Sequence, residues 1–135
     1  MTRALAILLS LTRIAFGVGS IANPESTSRY WAGRKPSKRI DTKLFARGFG
    51  ARDVVLGLGA LLALVRRDPQ ARLWMAAQAI SEGADLGTTF AEKDKIPDAA
   101  LKRVTAVTGA SFAGALWSAF ALRGRYPASP PLGSA

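Results

Sequence analysis

The sequence predicts an all-α fold, a four-helix transmembrane bundle. Residues 104–122 carry no charged side chain, and Lys102, Arg103 and Arg123 lie at the two ends of this apolar run. A helix needs roughly 20 mostly apolar residues to cross the hydrocarbon core of a bilayer, so this segment is long enough to span. Three further segments have similar length and a largely apolar character. The predicted spans are residues 4–22, 44–65, 69–90 and 99–122.

Proline and its neighbours mark the ends of these helices. Asn23-Pro24 ends the first helix, because proline disfavours helical geometry in the residue before it. Asp68-Pro69 places a favoured N-cap before a proline at the first helical position, and Ile96-Pro97 precedes the fourth helix. The membrane domain is therefore expected to cover residues 1–125. The proline-rich tail at 126–135 is expected to be disordered.

The first segment has a competing interpretation as a secretory signal peptide. Thr2-Arg3 would supply its charged start, and Ser20-Ile21-Ala22 would supply a cleavage site with small residues. Arg13 lies inside the apolar part, which is atypical of such peptides. We therefore expect the segment to be kept as the first span.

The composition excludes several kinds of chemistry. The 135 residues include nineteen Lys and Arg, nine Asp and Glu, no His and no Cys, for a formal charge of +10. Without cysteine there are no disulfides or thiolate ligands. Without histidine the usual zinc ligand and the usual base of a serine triad are missing. The length allows one domain, and we expect neither a metal nor another cofactor.

Each predicted span has one helical face of small or polar residues, at steps of three and four. Membrane helices pack on such faces, because small residues let backbones approach while lipid tails solvate the larger apolar side chains. The four faces consist of Ala6, Ser10, Arg13, Gly17 and Ser20; Ala46, Gly50, Asp53, Gly57 and Ala60; Gln78, Glu82, Asp85 and Thr89; and Ala106, Ala110, Gly114 and Ser118.

The charged side chains within the spans are expected to pair with one another. An unpaired charge in the middle of a bilayer costs roughly 2.5–3.5 kcal/mol on insertion scales. Arg52 and Asp53 are adjacent on one helix and are expected to contact different neighbours. We expect Asp53 to pair with Arg13, and Arg52 to pair with Glu82 or Asp85. The predicted buried polar cluster consists of Arg13, Arg52, Asp53, Gln78, Glu82 and Asp85.

Three carboxylates of this cluster, Asp53, Glu82 and Asp85, are the candidate catalytic residues. A protonatable carboxyl inside a membrane bundle can relay protons, bind a cation or act as a general acid. The alternative is structural, since carboxylates that accept hydrogen bonds from buried arginines also hold helices together.

The connection between the first two spans, residues 23–43, is strongly basic. Positive side chains beside aromatic ones suit anionic lipid headgroups. The expected headgroup contacts are Arg29, Trp31, Arg34, Lys35, Lys38 and Arg39. No nucleic acid partner is expected, because the chain has no recognition motif for one. The other loops are also basic, so the distribution of positive charge leaves the orientation of the termini open.

Two short segments carry a resemblance to a known family: Phe49-Gly50-Ala51-Arg52-Asp53-Val54-Val55-Leu56-Gly57 and Ser81-Glu82-Gly83-Ala84-Asp85. They resemble segments of a family of small four-span integral membrane proteins of unknown function, loosely DoxX-like in architecture. In that family a Gly-Ala-Arg-Asp segment opens the second helix, and an acidic pair lies in the third. The resemblance covers roughly residues 4 to 122, with Glu82 where the family has Asp. It implies a four-helix membrane bundle with Arg52, Asp53, Glu82 and Asp85 as distinctive polar residues.

Three functions are compatible with these observations. The first is a non-enzymatic, multi-pass protein of the cell membrane, either an accessory subunit of a partner membrane protein or a binder of lipid or small hydrophobic ligands. The second is a membrane-embedded acid/base enzyme, such as an isomerase, a cyclase or an epoxide-opening catalyst. The third is a proton-linked transporter, which at this size would need to form an oligomer. The sequence favours the first.

Overall fold

The computed structural model describes residues 2–32 and 34–124, and the regular elements in these ranges are all helical. The helices are α1 (Thr2–Ala22), α2 (Pro24–Ala32), α3 (Arg34–Ser37), α4 (Ile40–Arg66), α5 (Ala71–Ala91) and α6 (Asp98–Ala121), with a 3-10 turn at Lys93–Lys95. The predicted all-α class is confirmed. The tail predicted to be disordered, residues 126–135, lies outside the described residues.

In the described ranges, four long helices form the frame of the molecule. α1 packs most extensively on α4, and α5 packs most extensively on α6. Contacts of α4 with α5 and of α1 with α6 close the arrangement. The short helix α2 contacts α1, α4 and α6, so it lies against three of the four long helices.

The interior of this frame is made mainly of small and polar residues, and Leu64, Met75 and Leu122 are its large apolar members. The predicted face of α1 is confirmed, because its buried residues include all five predicted positions, from Ala6 to Ser20. Many other large apolar side chains lie outside: Leu8 is 61% exposed, Val55 is 60% exposed and Ile80 is 73% exposed. Water disfavours such a surface, whereas lipid tails solvate it well. The distribution of side chains therefore suits a bilayer.

Three of the described helices, α1, α4 and α6, are long and apolar enough to cross a membrane. This finding indicates a membrane protein. Helix α5 has the same length as α1 but is less apolar, because Gln78, Glu82 and Asp85 lie within it.

Helices α1 and α4 approach each other closely at a pair of glycines. A Cβ atom added to Gly17 would lie 2.6 Å from the carbonyl oxygen of Gly50, and one added to Gly50 would lie 2.6 Å from the carbonyl oxygen of Gly17. A Cβ atom on Gly57 would lie 2.9 Å from the carbonyl oxygen of Ser10. These distances are too short for any side chain, so the approach of the two backbones requires glycine at these positions.

The predicted packing face of α6 is wrong at two of its four positions, and Ser118 is buried as predicted. Ala106 and Ala110 are exposed, and Gly114 is only partly buried. Small residues occur on every side of this helix, so residue size alone does not define a face. The buried residues are Ala100, Val104, Thr108, Ala115 and Ser118.

The connection at residues 23–43 is largely helical, which corrects the expectation of a loop. Asn23 alone separates α1 from α2. Its side-chain Oδ1 accepts a hydrogen bond from the backbone N–H of Ser26 at 3.2 Å, as an N-cap does. Pro24 then occupies the first helical position, where its missing N–H costs nothing. Asn23-Pro24 therefore ends α1 as predicted, and it also begins a second helix, α2.

The start of α5 also differs from the prediction. Asp68 Oδ1 accepts a hydrogen bond from the backbone N–H of Gln70 at 2.8 Å, so Asp68 caps a turn that contains Pro69. The regular helix begins two residues further on, at Ala71. The N-cap of α5 is therefore Gln70 rather than the predicted Asp68, and Asp68 stabilises the turn that precedes the helix.

Substitution of Gly50 tests the close approach of α1 and α4. We expect Gly50→Ala to lower the free energy of unfolding by about 1–3 kcal/mol, the usual cost of overpacking, although alanine favours the helix. Gly48→Ala is the matched control on the same helix, because a Cβ atom there meets no atom within 4 Å. It should leave stability unchanged or raise it. Unfolding in detergent, followed by circular dichroism, measures both variants. Equal effects would contradict the close approach.

Candidate functional site: a charge network beside an interhelical cavity

Arg13 is the centre of a buried charge network. It lies at the middle of α1, and its Nε donates a hydrogen bond to Asp53 Oδ1 at 3.1 Å. Its Nη2 lies 3.1 Å from Glu82 Oε1. Asp53 and Glu82 lie at the middle of α4 and α5. One guanidinium group therefore joins three helices about halfway along their lengths.

Arg52 extends the network from α4 to α5. Its Nη2 lies 2.7 Å from Asp85 Oδ2, and its Nη1 lies 3.1 Å from Asp85 Oδ1, which is a bidentate pair. Its Nη2 also lies 3.3 Å from Asp53 Oδ1. Asp53 thus accepts hydrogen bonds from Arg13 and Arg52 through one oxygen.

These contacts decide between the pairings that the sequence left open. Asp53 pairs with Arg13 as expected, and Arg52 pairs with Asp85 rather than with Glu82. Arg52 and Asp53 contact different neighbouring helices, as expected, because Arg52 pairs with Asp85 on α5 and Asp53 pairs with Arg13 on α1. The long side chain of Arg52 reaches back to Asp53 as well as across to α5.

Gln78 ties α5 to α4 beside the charged groups. Its Nε2 donates a hydrogen bond to the backbone carbonyl oxygen of Leu56 at 3.1 Å, and its own backbone oxygen accepts one from Arg13 Nη1 at 3.5 Å. The side chain is fully buried. The structure therefore brings together all six residues of the predicted polar cluster.

A cavity of about 630 Å³ lies against this network. Arg13, Asp53 and Glu82 line it, together with the other three residues of the cluster. The volume falls within the roughly 300–1,000 Å³ that is usual for small-molecule sites. The charged groups thus face a space large enough for a small ligand.

Aromatic rings form much of the remaining cavity wall. Trp31 packs edge-on against Phe16 at 5.7 Å between ring centroids, and against Tyr30 at 5.3 Å. The guanidinium of Arg52 lies 4.7 Å from the ring centroid of Phe49. Phe45 is a further aromatic lining residue. The cavity therefore combines one charged side with a broad apolar surface.

Sequence reasoning missed the contribution of α6 to the cavity. Thr108 and Ser111 line it, and Ala115 lies one turn further along the same face. A signal for this face was present, because these positions and Ser118 follow steps of three, four and three. Small residues elsewhere on α6 obscured it.

The basic segment has local partners that the sequence did not indicate. Glu25 contacts Arg29 at 3.4 Å and Lys43 at 3.2 Å, and the hydrogen bond from Lys43 holds the pKa of Glu25 below its ordinary value. Arg39 pairs with Asp41 at 2.8 Å. Trp31 lines the cavity wall as well.

The remaining residues predicted to contact headgroups stay predictions. Arg34 and Lys38 are exposed on the surface. The side chain of Lys35 lies outside the described part of the chain. Headgroup contact by this segment is therefore compatible with the structure but untested by it.

In residues 2–32 and 34–124, no group of three His, Cys, Asp or Glu side chains is placed to hold a metal ion. The carboxylates of the network instead contact guanidinium groups. Chemically, such an arrangement can accept hydrogen bonds from a ligand or exchange a proton with one. Comparisons with protein families, with curated proteins and with solved structures give no match for this chain.

Substitution of each arginine tests how much each one contributes to the stability of the protein. We expect Arg13→Gln to lower the free energy of unfolding by about 3–5 kcal/mol, because it leaves the buried Glu82 without its ion-pair partner and removes one of the two guanidinium partners of Asp53. Arg52→Gln should cost less, since the Arg52 side chain is 33% exposed. Arg39→Gln removes an exposed pair and serves as the control, with no measurable change expected. Unfolding in detergent measures all three, and equal losses would contradict this order.

Proposed function

We propose that this chain is a multi-pass protein of the cell membrane whose cavity binds a small hydrophobic ligand that has one polar end. The observation that supports this proposal most directly is the composition of the cavity. Its charged network lies beside aromatic and aliphatic walls. Ligand sites commonly combine a largely apolar lining with a few convergent polar groups. The polar end of the ligand would contact the network, and its apolar part would contact the rings.

In this proposal α5 is the fourth span. Its acidic residues do not need to face lipid, because Arg13 from α1 contacts Glu82 and Arg52 from α4 contacts Asp85. A bilayer admits such a helix as a member of a bundle, where its charges are paired. The exposed apolar side chains on its other side, such as Leu73 and Ile80, suit lipid tails.

The outer surface also leaves room for a partner. Trp117 on α6 and Leu62 on α4 are exposed, large and apolar. Lipid covers such residues adequately, and so would a partner membrane protein or a second copy of the chain. An accessory role is therefore compatible with ligand binding. Contact of the basic segment with anionic headgroups belongs to the same proposal.

Membership of the loosely DoxX-like family of four-span proteins is also a proposal. The arrangement of the four long helices is compatible with it. One detail differs, because the Gly-Ala-Arg-Asp segment at 50–53 lies near the middle of α4 rather than at its start.

A membrane-embedded acid/base enzyme is the second candidate. The observation that favours it is that Asp53, Glu82 and Asp85 all line one cavity, so a bound substrate would meet carboxylates directly. General acid or base catalysis needs such a group within hydrogen-bond reach of the substrate. An enzyme of this kind would lose turnover in Glu82→Gln while it still bound its substrate.

Native mass spectrometry in lipid nanodiscs tests the proposed function. We expect a stoichiometric molecule other than bulk lipid to accompany the wild-type protein, and to be lost from a folded Glu82→Gln variant. Glu92→Gln is the matched control, because Glu92 is an exposed residue at the end of α5. It should keep the molecule. Bulk lipid alone on the wild type, together with poor folding of Glu82→Gln, would contradict the proposal and indicate a structural network.

A further inference from the structure

The positive and negative side chains that line the cavity are unequal in number. In the described residues they are two arginines and three carboxylates: Arg13, Arg52, Asp53, Glu82 and Asp85. With all five ionised, their sum is one negative charge. A buried excess charge is costly in a medium of low polarity. A proton on one of the carboxyl groups would neutralise it, and so would a ligand with one positive charge.

The hydrogen-bonding capacity that remains open is on the acceptors. Arg52 donates to Asp85 from Nη1 and Nη2, and to Asp53 from Nε and Nη2, so four of its five N–H groups are already engaged. Both arginines reach Asp53 through Oδ1. No hydrogen bond from the described residues reaches Asp53 Oδ2, although this side chain is only 9% exposed.

Glu82 has the same open capacity. Among the described residues, its one ion-pair contact is with Arg13, through Oε1. An ionised carboxylate has about four acceptor positions on its two oxygens, so Glu82 and Asp53 can both accept further hydrogen bonds. A donor group on a ligand therefore finds more open positions at this end of the cavity than an acceptor group does.

The walls of the cavity also favour a cation. Phe16, Tyr30, Trp31, Phe45 and Phe49 line it. The faces of aromatic rings attract positive charge. One face of Phe49 is already covered by Arg52 and one face of Tyr30 by Arg103, so Phe16, Trp31 and Phe45 are the more accessible rings for a ligand. The same rings supply apolar contact area for the rest of the ligand.

We propose that the ligand is a hydrophobic monovalent cation, a protonated amine that carries an apolar or aromatic group. This inference rests on the proposed function and names the ligand class of that site. The ammonium group donates hydrogen bonds to Asp53 Oδ2 and to the Glu82 carboxylate. The apolar part lies against the aromatic rings. An anion finds the guanidinium groups already engaged by carboxylates and adds to the negative charge.

Three probes of nearly equal shape separate charge from hydrophobicity: phenylbutylamine, phenylbutanol and phenylbutyrate. Near neutral pH the first is a cation, the second is neutral and the third is an anion. Saturable binding of each probe to the full chain in nanodiscs is measured by isothermal titration calorimetry, with empty nanodiscs as the blank for partition into lipid. We expect the amine to bind at least about tenfold more tightly than the alcohol, and the acid to bind most weakly.

Two variants locate the effect at the network. Glu82→Gln should remove the preference for the amine over the alcohol, while Glu92→Gln should keep it. Asp53→Asn is expected to act in the same way as Glu82→Gln. Asp53 holds two arginines, so its variant can fail to fold. The probe series on the wild-type protein and on Glu82→Gln tests the cation proposal without Asp53→Asn.

The outcomes separate the proposal that the cavity binds a ligand from the proposal that this ligand is a cation. Saturable binding of the alcohol as tight as that of the amine, or tightest binding of the acid, would overturn the cation inference and leave a ligand-binding cavity in place. A preference for the amine that persists in a folded Glu82→Gln variant would also overturn it. No saturable binding of any probe, with no co-purified molecule in the native mass spectra, would overturn both.

Discussion

Asp53 accepts hydrogen bonds from two guanidinium groups through one carboxylate oxygen, at the middle of α4. A charged group that is this deeply buried must be paired, because the surrounding side chains solvate it poorly. Arg13 comes from α1, while Arg52 in turn holds Asp85 on α5. Sliding any of these helices by one turn, roughly 5.4 Å, would break the contacts. The pairing therefore sets the axial positions of three helices relative to one another.

The packing around the network follows from the same requirement. Gly17 lies one turn beyond Arg13 on α1, and Gly50 lies one turn before Asp53 on α4, so the closest backbone approach is next to the ion pair. Small residues there bring the two backbones together without displacing the long charged side chains. On the far side, α6 presents Thr108 and Ser111, which are too short to fill the space. The cavity is the volume that remains between the network and these short side chains.

How much the sequence could predict depended on how distinct the residues of each helix were. The face of α1 was predictable, because Ser10, Arg13 and Gly17 differ sharply from the leucines and isoleucines around them. The face of α6 was not, since alanine and glycine surround that helix and several faces are equally small. The choice of Asp85 over Glu82 as the partner of Arg52 needed three-dimensional positions, because both lie on one side of α5 and both are within reach of an arginine. The helices in residues 24–37 were missed because charge and proline there suggested a loop, although Asn23-Pro24 is also a good helix start.

The central claim is that Arg13 and Asp53 hold α1 and α4 together by direct contact at the middle of the bundle. A double-mutant cycle tests it most directly: the free energies of unfolding of Arg13→Met, of Asp53→Leu and of the double variant are compared with that of the wild type in one detergent. The account predicts that the double variant loses less stability than the two single variants lose together. The expected difference is about 1–3 kcal/mol, as for residues in direct contact. Strictly additive losses would contradict it, because they would mean that the two side chains act independently.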